Sequence, residues 1–162
     1  MVNMTRVIGI CSGKGGVGKT TVATNLAIAL KDLGKRVLLI DCNISTPHVA
    51  YYLGASDYKY TLNDALSGKV DIISTITAHY GLKFIPASLE MKDLVSVDPM
   101  SFKKHLKKLL TPKNLDFVIL DSAPGLGREA ITVLDAAEEI IFVTNPFAPM
   151  VNDVIRSLEV LK

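Results

Sequence analysis

The sequence has few cysteines, almost no excess charge and no long apolar run, and each shortage excludes a class of protein. Two cysteines in 162 residues, far apart and beside no histidine, give neither a disulfide framework nor a metal-ligand spacing. They predict reduced, buried thiols and a cytoplasmic protein. A formal net charge of +2 gives no global field that would attract nucleic acid or an anionic membrane. We therefore expect no direct nucleic-acid contact.

The longest apolar runs have only the length of strands, and residues 1–5 lack the pattern of a signal peptide. We expect no membrane span. With 49% apolar residues, the chain can bury one sizeable core. Its composition does not change along the chain in a way that would indicate a second domain. The sequence thus predicts a single domain over residues 1–162.

Short β-rich runs alternate with helical patterns along the chain. The run at residues 5–11 is followed by a helical stripe of Val22, Leu26, Ala29, Leu30 and Leu33, and then by a second run at 35–40. Further runs occur at 81–86, 116–120 and 139–144. We predict a three-layer α/β fold with five parallel strands.

Two further helices are predicted after residue 98. The first covers residues 99–110 and would bury Phe102, Leu106, Leu109 and Leu110. Its four lysines form either a patch for nucleic acid or an acidic partner or, as is more common, a solvated helix face. The second runs from Met150 to the end, with a stripe of Val151, Val154, Ile155, Leu158 and Leu161.

A glycine-rich segment follows the first predicted strand and opens the first predicted helix, which is the context of a phosphate-binding loop. Glycines let successive backbone N–H groups face phosphate oxygens, and the helix start adds its positive dipole end. Lys19 would contact the β- and γ-phosphates, and the Thr20 hydroxyl would hold Mg²⁺. The segment matches G-x-x-x-x-G-K-[ST] and consists of Gly13, Lys14, Gly15, Gly16, Val17, Gly18, Lys19, Thr20 and Thr21.

Carboxylates close two of the predicted strands. Asp121 ends FVILD and Asp41 ends VLLID, and parallel strands place their carboxyl ends at one edge of a sheet. Asp121 is the first candidate for the acid that holds the metal through water, and Asp41 is the second. Either could instead cap a helix or form a turn. The predicted ligands are ATP or ADP with Mg²⁺, and Thr20, Asp41 and Asp121 are the predicted metal residues.

The form KGGVGKT, with the additional Lys14, resembles the deviant Walker A motif of the MinD/ParA/nitrogenase-iron-protein group of ATPases. The segments VLLIDCNISTPHVAYYLG and VILDSAPGLGREA resemble switch I and switch II of MinD, especially in its archaeal MinD-like branch. The resemblance covers nearly the whole chain. It implies the strand order 81–86, 35–40, 116–120, 5–11, 139–144, because P-loop proteins of this division place the metal-acid strand beside the strand of the phosphate loop. It implies a cytoplasmic, Mg²⁺-dependent ATPase that dimerises with ATP bound and positions cell-division or partition machinery through a protein partner. Lys14 would reach the partner subunit's nucleotide, and Lys14, Lys19 and Asp41 are the expected catalytic residues.

Two departures from the family pattern affect this expectation. Members run to about one and a half times this length, and the missing part carries further strands, adenine-contacting residues and often a membrane-targeting helix. Any membrane association would depend on such a segment. The family's second switch I carboxylate is also replaced, because Asp41 and Cys42 are followed by Asn43. We therefore expect slow hydrolysis.

Two other functions stay open at this point. A nucleotide-gated scaffold that binds ATP and scarcely hydrolyses it is compatible with Asn43. An iron–sulfur reductase like the nitrogenase iron protein would need two cluster cysteines per subunit, and residues 122–137 contain none.

Overall fold

The structure is a computed structural model that describes residues 4–94, 97–112 and 114–159. Within these ranges it has a single six-stranded sheet, in the order β3-β4-β2-β5-β1-β6, with helices on both faces. The strands are β1 (Arg6–Cys11), β2 (Val37–Asp41), β3 (Thr77–His79), β4 (Leu82–Ile85), β5 (Phe117–Asp121) and β6 (Glu139–Phe142). The α-helices are α1 (Lys19–Asp32), α2 (Val49–Leu53), α3 (Leu62–Leu66), α4 (Phe102–Leu110), α5 (Arg128–Ala136) and α6 (Ala148–Glu159). Short 3₁₀ helices cover Ile72–Thr75, Met91–Leu94 and Pro99–Ser101.

The predicted order of the five parallel strands is confirmed, and the three-layer α/β class with it. The sequence prediction missed β3, which pairs antiparallel with β4 at the edge of the sheet. A two-residue turn joins these strands, with φ of 46° at Tyr80 and 76° at Gly81. Positive φ at both turn positions matches the twist of a hairpin. Three residues are too few for alternation to reveal a strand.

The sheet is buried on both faces because apolar side chains fill both. One face packs against α3, α4 and α5, and includes Leu38, Val118 and Leu120. The other face, with Leu39 and Ile119, packs against α1. Gly9 of β1 lies under α5, where a Cβ atom would meet the Val133 side chain at 3.0 Å. A larger residue there would push α5 away from the sheet.

The stripe predicted for α1 is wrong in part. Ala29 and Leu33 are exposed, and the helix turns Ala23, Thr24 and Ala27 towards the sheet. Small side chains let α1 approach the strands closely, and a count of large apolar residues does not reveal such a face.

Helix α4 has the predicted buried stripe, with Phe102, Leu106 and Leu109 in the core. Its four lysines are exposed, and two of them pair with carboxylates on neighbouring elements: Lys103 with Asp135 at 2.9 Å, and Lys108 with Asp71. This is the arrangement of a solvated helix face.

Helix α6 begins two residues earlier than predicted, and residues 160–162 of the predicted helix lie outside the described ranges. The predicted burial of its stripe is wrong at three positions, because Val151, Ile155 and Leu158 are 42%, 50% and 46% exposed, while Val154 is half-buried. In the described part of the chain β6 is the last strand on this side, so no further strand covers the stripe. No described helix is long and apolar enough to cross a bilayer.

Candidate nucleotide site

The glycine-rich segment forms the loop between β1 and α1, as predicted. Gly16 and Gly18 have φ of 76° and 99°, and no atom lies within 4 Å of a Cβ built on either. These glycines are required by backbone conformation and not by lack of space. Helix α1 begins at Lys19 without a side-chain cap and without an acid in its first turn. Its first N–H groups therefore face the loop, where a phosphate group would neutralise the helix dipole.

Lys19 and Thr20 lie against the carboxyl end of β5. Lys19 is buried, and burial lowers the pKa of its ammonium group while the Asp121 carboxylate opposes that effect. The Thr20 hydroxyl donates a hydrogen bond of 2.6 Å to Oδ2 of Asp121. Three of the predicted site residues are thus brought together at one edge of the sheet.

Asp121 is 1% exposed, and its Oδ1 is a buried oxygen for which the structure records no hydrogen-bond donor. Burial raises the pKa of this carboxyl to about 6, and Thr20, Lys19 and His48 oppose the rise. A buried acceptor without a donor is costly unless a cation or an ordered water satisfies it.

These groups fit a magnesium ion. Mg²⁺ prefers oxygen ligands and is commonly held by one or two protein groups together with waters and substrate phosphates. Among the described residues there is no cluster of three histidine, cysteine or acidic side chains able to hold a metal alone. Thr20 and Asp121 would hold Mg²⁺, which would supply charge neutralisation for the phosphates.

Asp41 lies beside Asp121 in the sheet register but is engaged differently. Its Oδ1 accepts the Asn43 N–H at 3.1 Å, and its Oδ2 accepts those of His48 and Val49, each at 2.9 Å. Burial and then Asp121 raise the pKa of Asp41 to about 8, against these three donors. In this structure Asp41 fixes the loop at residues 42–48 and the start of α2. Its predicted catalytic and metal roles stay predictions.

Asn43 is tied to its own loop. Its Nδ2 donates to the Thr46 carbonyl at 2.5 Å, and its Oδ1 accepts the Thr46 hydroxyl at 3.1 Å. These two bonds hold the Asn43 side chain against its own loop, and its carbonyl oxygen keeps capacity for a second hydrogen bond.

Lys14 extends away from the loop towards α6. Its ammonium nitrogen lies 3.5 Å from an Asp153 carboxylate oxygen, and the Lys14 side chain is 50% exposed. Helix α6 also crosses Gly13 closely, because a Cβ built there would lie 2.4 Å from the Asp153 Cβ. The extra lysine of the loop is thus in contact with the last described helix.

A cavity of about 350 Å³ opens in front of the glycine-rich loop. The side facing the loop is formed by residues that the motif did not point to, His48 and Tyr52 on or beside α2, together with Asn43, Thr46 and Pro124. The only signal in the sequence was their place shortly after β2, whose carboxyl end faces the loop. A second cavity, of about 450 Å³, adjoins it between residues 43–46 and 123–129.

Two loops around these cavities are joined to one another. The Ser45 hydroxyl and backbone N–H both donate to the carboxylate of Glu129, in the first turn of α5, and the N–H bond measures 3.3 Å. Glu129 also meets the positive dipole end of α5.

Residues 3–162 of the chain match a protein-family model described as ParA, NUBPL iron-transfer P-loop NTPase. The chain belongs to the ParA family of P-loop NTPases. The septum site-determining protein MinD of Thermotoga maritima is 37% identical over 164 residues, which cover 98% of this chain and 59% of that protein. The cytosolic Fe-S cluster assembly factor Nubp2 homolog of Drosophila willistoni is 33% identical, over 96% of this chain and 62% of that protein.

Comparison with solved structures supports the same family. MinD of Pyrococcus horikoshii, solved in complex with Mg-ADP, superposes with a TM-score of 0.92 at 33% identity, over 98% of this chain and 65% of that one. The chain spans about 60% of the length of the curated relatives that it matches. The resemblance to the MinD/ParA group is thereby confirmed.

Proposed function

We propose that this chain binds ATP or ADP with Mg²⁺ at the loop of residues 13–21 and hydrolyses ATP slowly. The observation that supports it best is the pair formed by Thr20 and Asp121, whose Oδ1 is buried without a recorded donor directly beside the loop. This is the arrangement through which P-loop enzymes hold a metal between protein and phosphates. The whole of residues 1–162 would act as one nucleotide-binding domain.

ATP binding would also drive the association of two copies. Lys14 is a second lysine in the loop, and its half-exposed side chain places the ammonium group 3.5 Å from the partly exposed Asp153 carboxylate. Such a pair is weak in water, so Lys14 can exchange it for a partner subunit's triphosphate. The family resemblance supports a dimer of this kind, and a protein partner that recognises it, in positioning of the division site or in partition.

The experiment that tests the proposal is a titration of the purified chain with ATP and ADP, with and without Mg²⁺, followed by phosphate release and light scattering. We expect Mg²⁺-dependent binding, slow release and an increase in mass with a non-hydrolysable ATP analogue. A pull-down with and without that analogue would identify the partner. Absence of nucleotide binding would overturn the proposal.

Relatives among the iron–sulfur carriers raise a second candidate, transport of a cluster. The two cysteines of this chain do not support it, because Cys11 and Cys42 are 3% and 4% exposed and lie at the ends of β1 and β2, which β5 separates in the sheet. Burial raises the pKa of both thiols, that of Cys11 to about 11, whereas cluster ligands are thiolates. Anaerobic reconstitution with iron and sulfide distinguishes the two functions, since a carrier would retain a coloured cluster after gel filtration.

A further inference from the structure

Helix α2 carries two adjacent tyrosines at the mouth of the nucleotide cavity. Tyr52 lines that cavity together with Gly15 and Gly16 of the glycine-rich loop. Tyr51 lies beside it, because the two rings meet edge to face with their centroids 6.4 Å apart. The Tyr51 side chain is 83% exposed, so a large aromatic ring stands in water at the rim of the site.

Helix α2 is fixed to the core at both of its ends. At its start, Asp41 Oδ2 accepts the backbone N–H groups of His48 and Val49, each at 2.9 Å, and the Val49 side chain is buried. At its end, Gly54 has a φ of 68° and stops the helix. The backbone that carries the tyrosines is therefore rigid, and little conformational freedom would be lost when a binding partner covers their rings.

The role proposed for Lys14 decides which way the rim of the cavity faces in a dimer. Lys14 directly precedes Gly15 and Gly16, which share the cavity with Tyr52. For Lys14 to reach the nucleotide of a second copy, the two copies must meet with their cavity mouths towards each other. The rim that carries Tyr51 then faces the second copy. In a two-fold symmetric interface of this kind, every contact occurs twice.

We infer that Tyr51 and Tyr52 are an aromatic anchor that binds a second copy of this chain when ATP is present. This inference rests on the proposed ATP-dependent dimer. Tyrosine is enriched among the residues that carry most of the energy of an interface. Its ring buries a large apolar area while the hydroxyl group can still form a hydrogen bond. The monomer leaves the Tyr51 ring in water, whereas the dimer would remove it from water.

Tyr80 offers a matched control at the opposite edge of the sheet. It is 85% exposed, and its ring meets that of His79 edge to face. Tyr80 lies in the turn before β4, and β4 runs parallel to β2, so this turn is at the amino ends of the parallel strands. The glycine-rich loop is at their carboxyl ends. Asparagine tolerates the positive φ of residue 80, so Tyr80→Asn removes the ring and keeps the turn.

The first test measures dimerisation by light scattering at several protein concentrations, with Mg²⁺ and a non-hydrolysable ATP analogue. Tyr51→Ala should weaken the dimer about thirtyfold or more, the loss typical of an interface hot spot. Tyr51→Phe should lose much less because it keeps the ring, and Tyr80→Asn should match the wild type. All three variants should fold and bind Mg-ADP normally, because both side chains are exposed and neither lines the cavity.

A second test follows the Tyr51 ring itself. Tetranitromethane nitrates exposed tyrosine rings, and mass spectrometry of the digested protein locates the nitrated residue. In the wild type, nitration of Tyr51 should be severalfold slower with the ATP analogue than with Mg-ADP, while that of Tyr80 should not change. In Lys14→Ala, which should bind the analogue without dimerising, Tyr51 should react as fast as with Mg-ADP. Protection of Tyr51 in a monomeric Lys14→Ala protein would show that nucleotide covers the ring, which overturns the inference.

The inference and the proposed function fail in distinguishable ways. A wild type that binds no nucleotide overturns both. A wild type that binds Mg-ATP and stays monomeric overturns the dimer and the anchor, while nucleotide binding stands. An ATP-dependent dimer that forms equally well in Tyr51→Ala, or that leaves Tyr51 open to nitration, overturns the anchor alone. An equal loss of dimer in Tyr80→Asn does the same, because the effect would then not depend on the position of the ring.

Discussion

The ammonium nitrogen of Lys14 lies 3.5 Å from the carboxylate of Asp153 on α6. This carboxylate would compete with the nucleotide of a second subunit for the positive charge of Lys14. Asp153→Asn removes the competing carboxylate. We expect ATP-dependent dimerisation to strengthen by up to about fivefold, because exposed ion pairs contribute under ~1 kcal/mol. Light scattering at several protein concentrations measures the change.

Lys14→Ala is the complementary change. It should leave ADP binding nearly intact and impair ATP-driven dimerisation and turnover. Dimerisation that is as strong in this variant as in the wild type would contradict the role of Lys14.

Lys19→Ala should abolish nucleotide binding. Lys19 is buried beside Asp121, and it is the cation that would face the phosphates of its own subunit. Isothermal titration with Mg-ADP checks this, and Lys14→Ala is the matched control for a lysine in the same loop. Equal loss of affinity in both variants would contradict the division of roles.

Asn43→Asp should raise kcat on the order of ten- to a hundredfold, since a carboxylate accepts from water better than an amide does. The structure adds a reason, because aspartate cannot donate to the Thr46 carbonyl and so loses one of the two bonds that hold the Asn43 side chain to its own loop. Steady-state phosphate release at saturating Mg-ATP is the measurement. If the rate does not rise while the ATP-dependent dimer is intact, residue 43 is not the missing catalytic element.

The contact between Ser45 and Glu129 should couple the two loops energetically. A double-mutant cycle with Ser45→Ala and Glu129→Gln should give a coupling free energy of unfolding of about 1 kcal/mol, the typical net value of a hydrogen bond. Urea unfolding of the four proteins measures it. As a control, Glu138→Gln replaces a partly exposed glutamate two residues after the end of α5, and it should show no coupling to Ser45.

The free energy of unfolding of the metal-free protein should fall as pH rises. The folded pKa of Asp121 is raised from 3.8 to about 6, so its stabilising contribution is complete below pH ~4 and is lost as pH rises through 6. A shift of two units corresponds to ~3 kcal/mol at most. Asp41, with a pKa of about 8, extends the decline to higher pH.

Asp121→Asn tests the assignment of that slope. Urea unfolding in EDTA between pH 4 and 8 should show a smaller decline, because the variant loses one buried acid and lowers the pKa of Asp41. Added Mg²⁺ with ADP should flatten the wild-type slope. An identical slope in the variant would show that other groups cause it.

The parallel strands and the phosphate loop could be predicted from local signals, whereas the order of the strands was implied by the family resemblance. β2 and β5 are apolar up to their closing aspartates, and Gly16 and Gly18 have the φ values that only glycine adopts freely. The face of α1 could not be predicted, since small residues such as Ala27 pack against the sheet while Leu33 does not. The way Asp41 holds the start of α2 depends on hydrogen bonds from the backbone N–H groups of residues 43, 48 and 49, which no motif encodes.

The two edge strands of the sheet differ in how readily each could pair with a further strand. The edge strand β3 has only three residues and pairs antiparallel with β4 through the tight turn at Tyr80 and Gly81. It therefore presents few backbone groups to which a further strand could hydrogen-bond. The edge strand β6 is parallel to β1, its Ile141 side chain is 40% exposed, and the exposed apolar residues of α6 follow it in the chain. Extension of this sheet, by its own chain or by another, can therefore proceed from one side only. A polypeptide that adds there would come to lie next to α6, so that sheet extension would change the surroundings of the ion pair between Lys14 and Asp153.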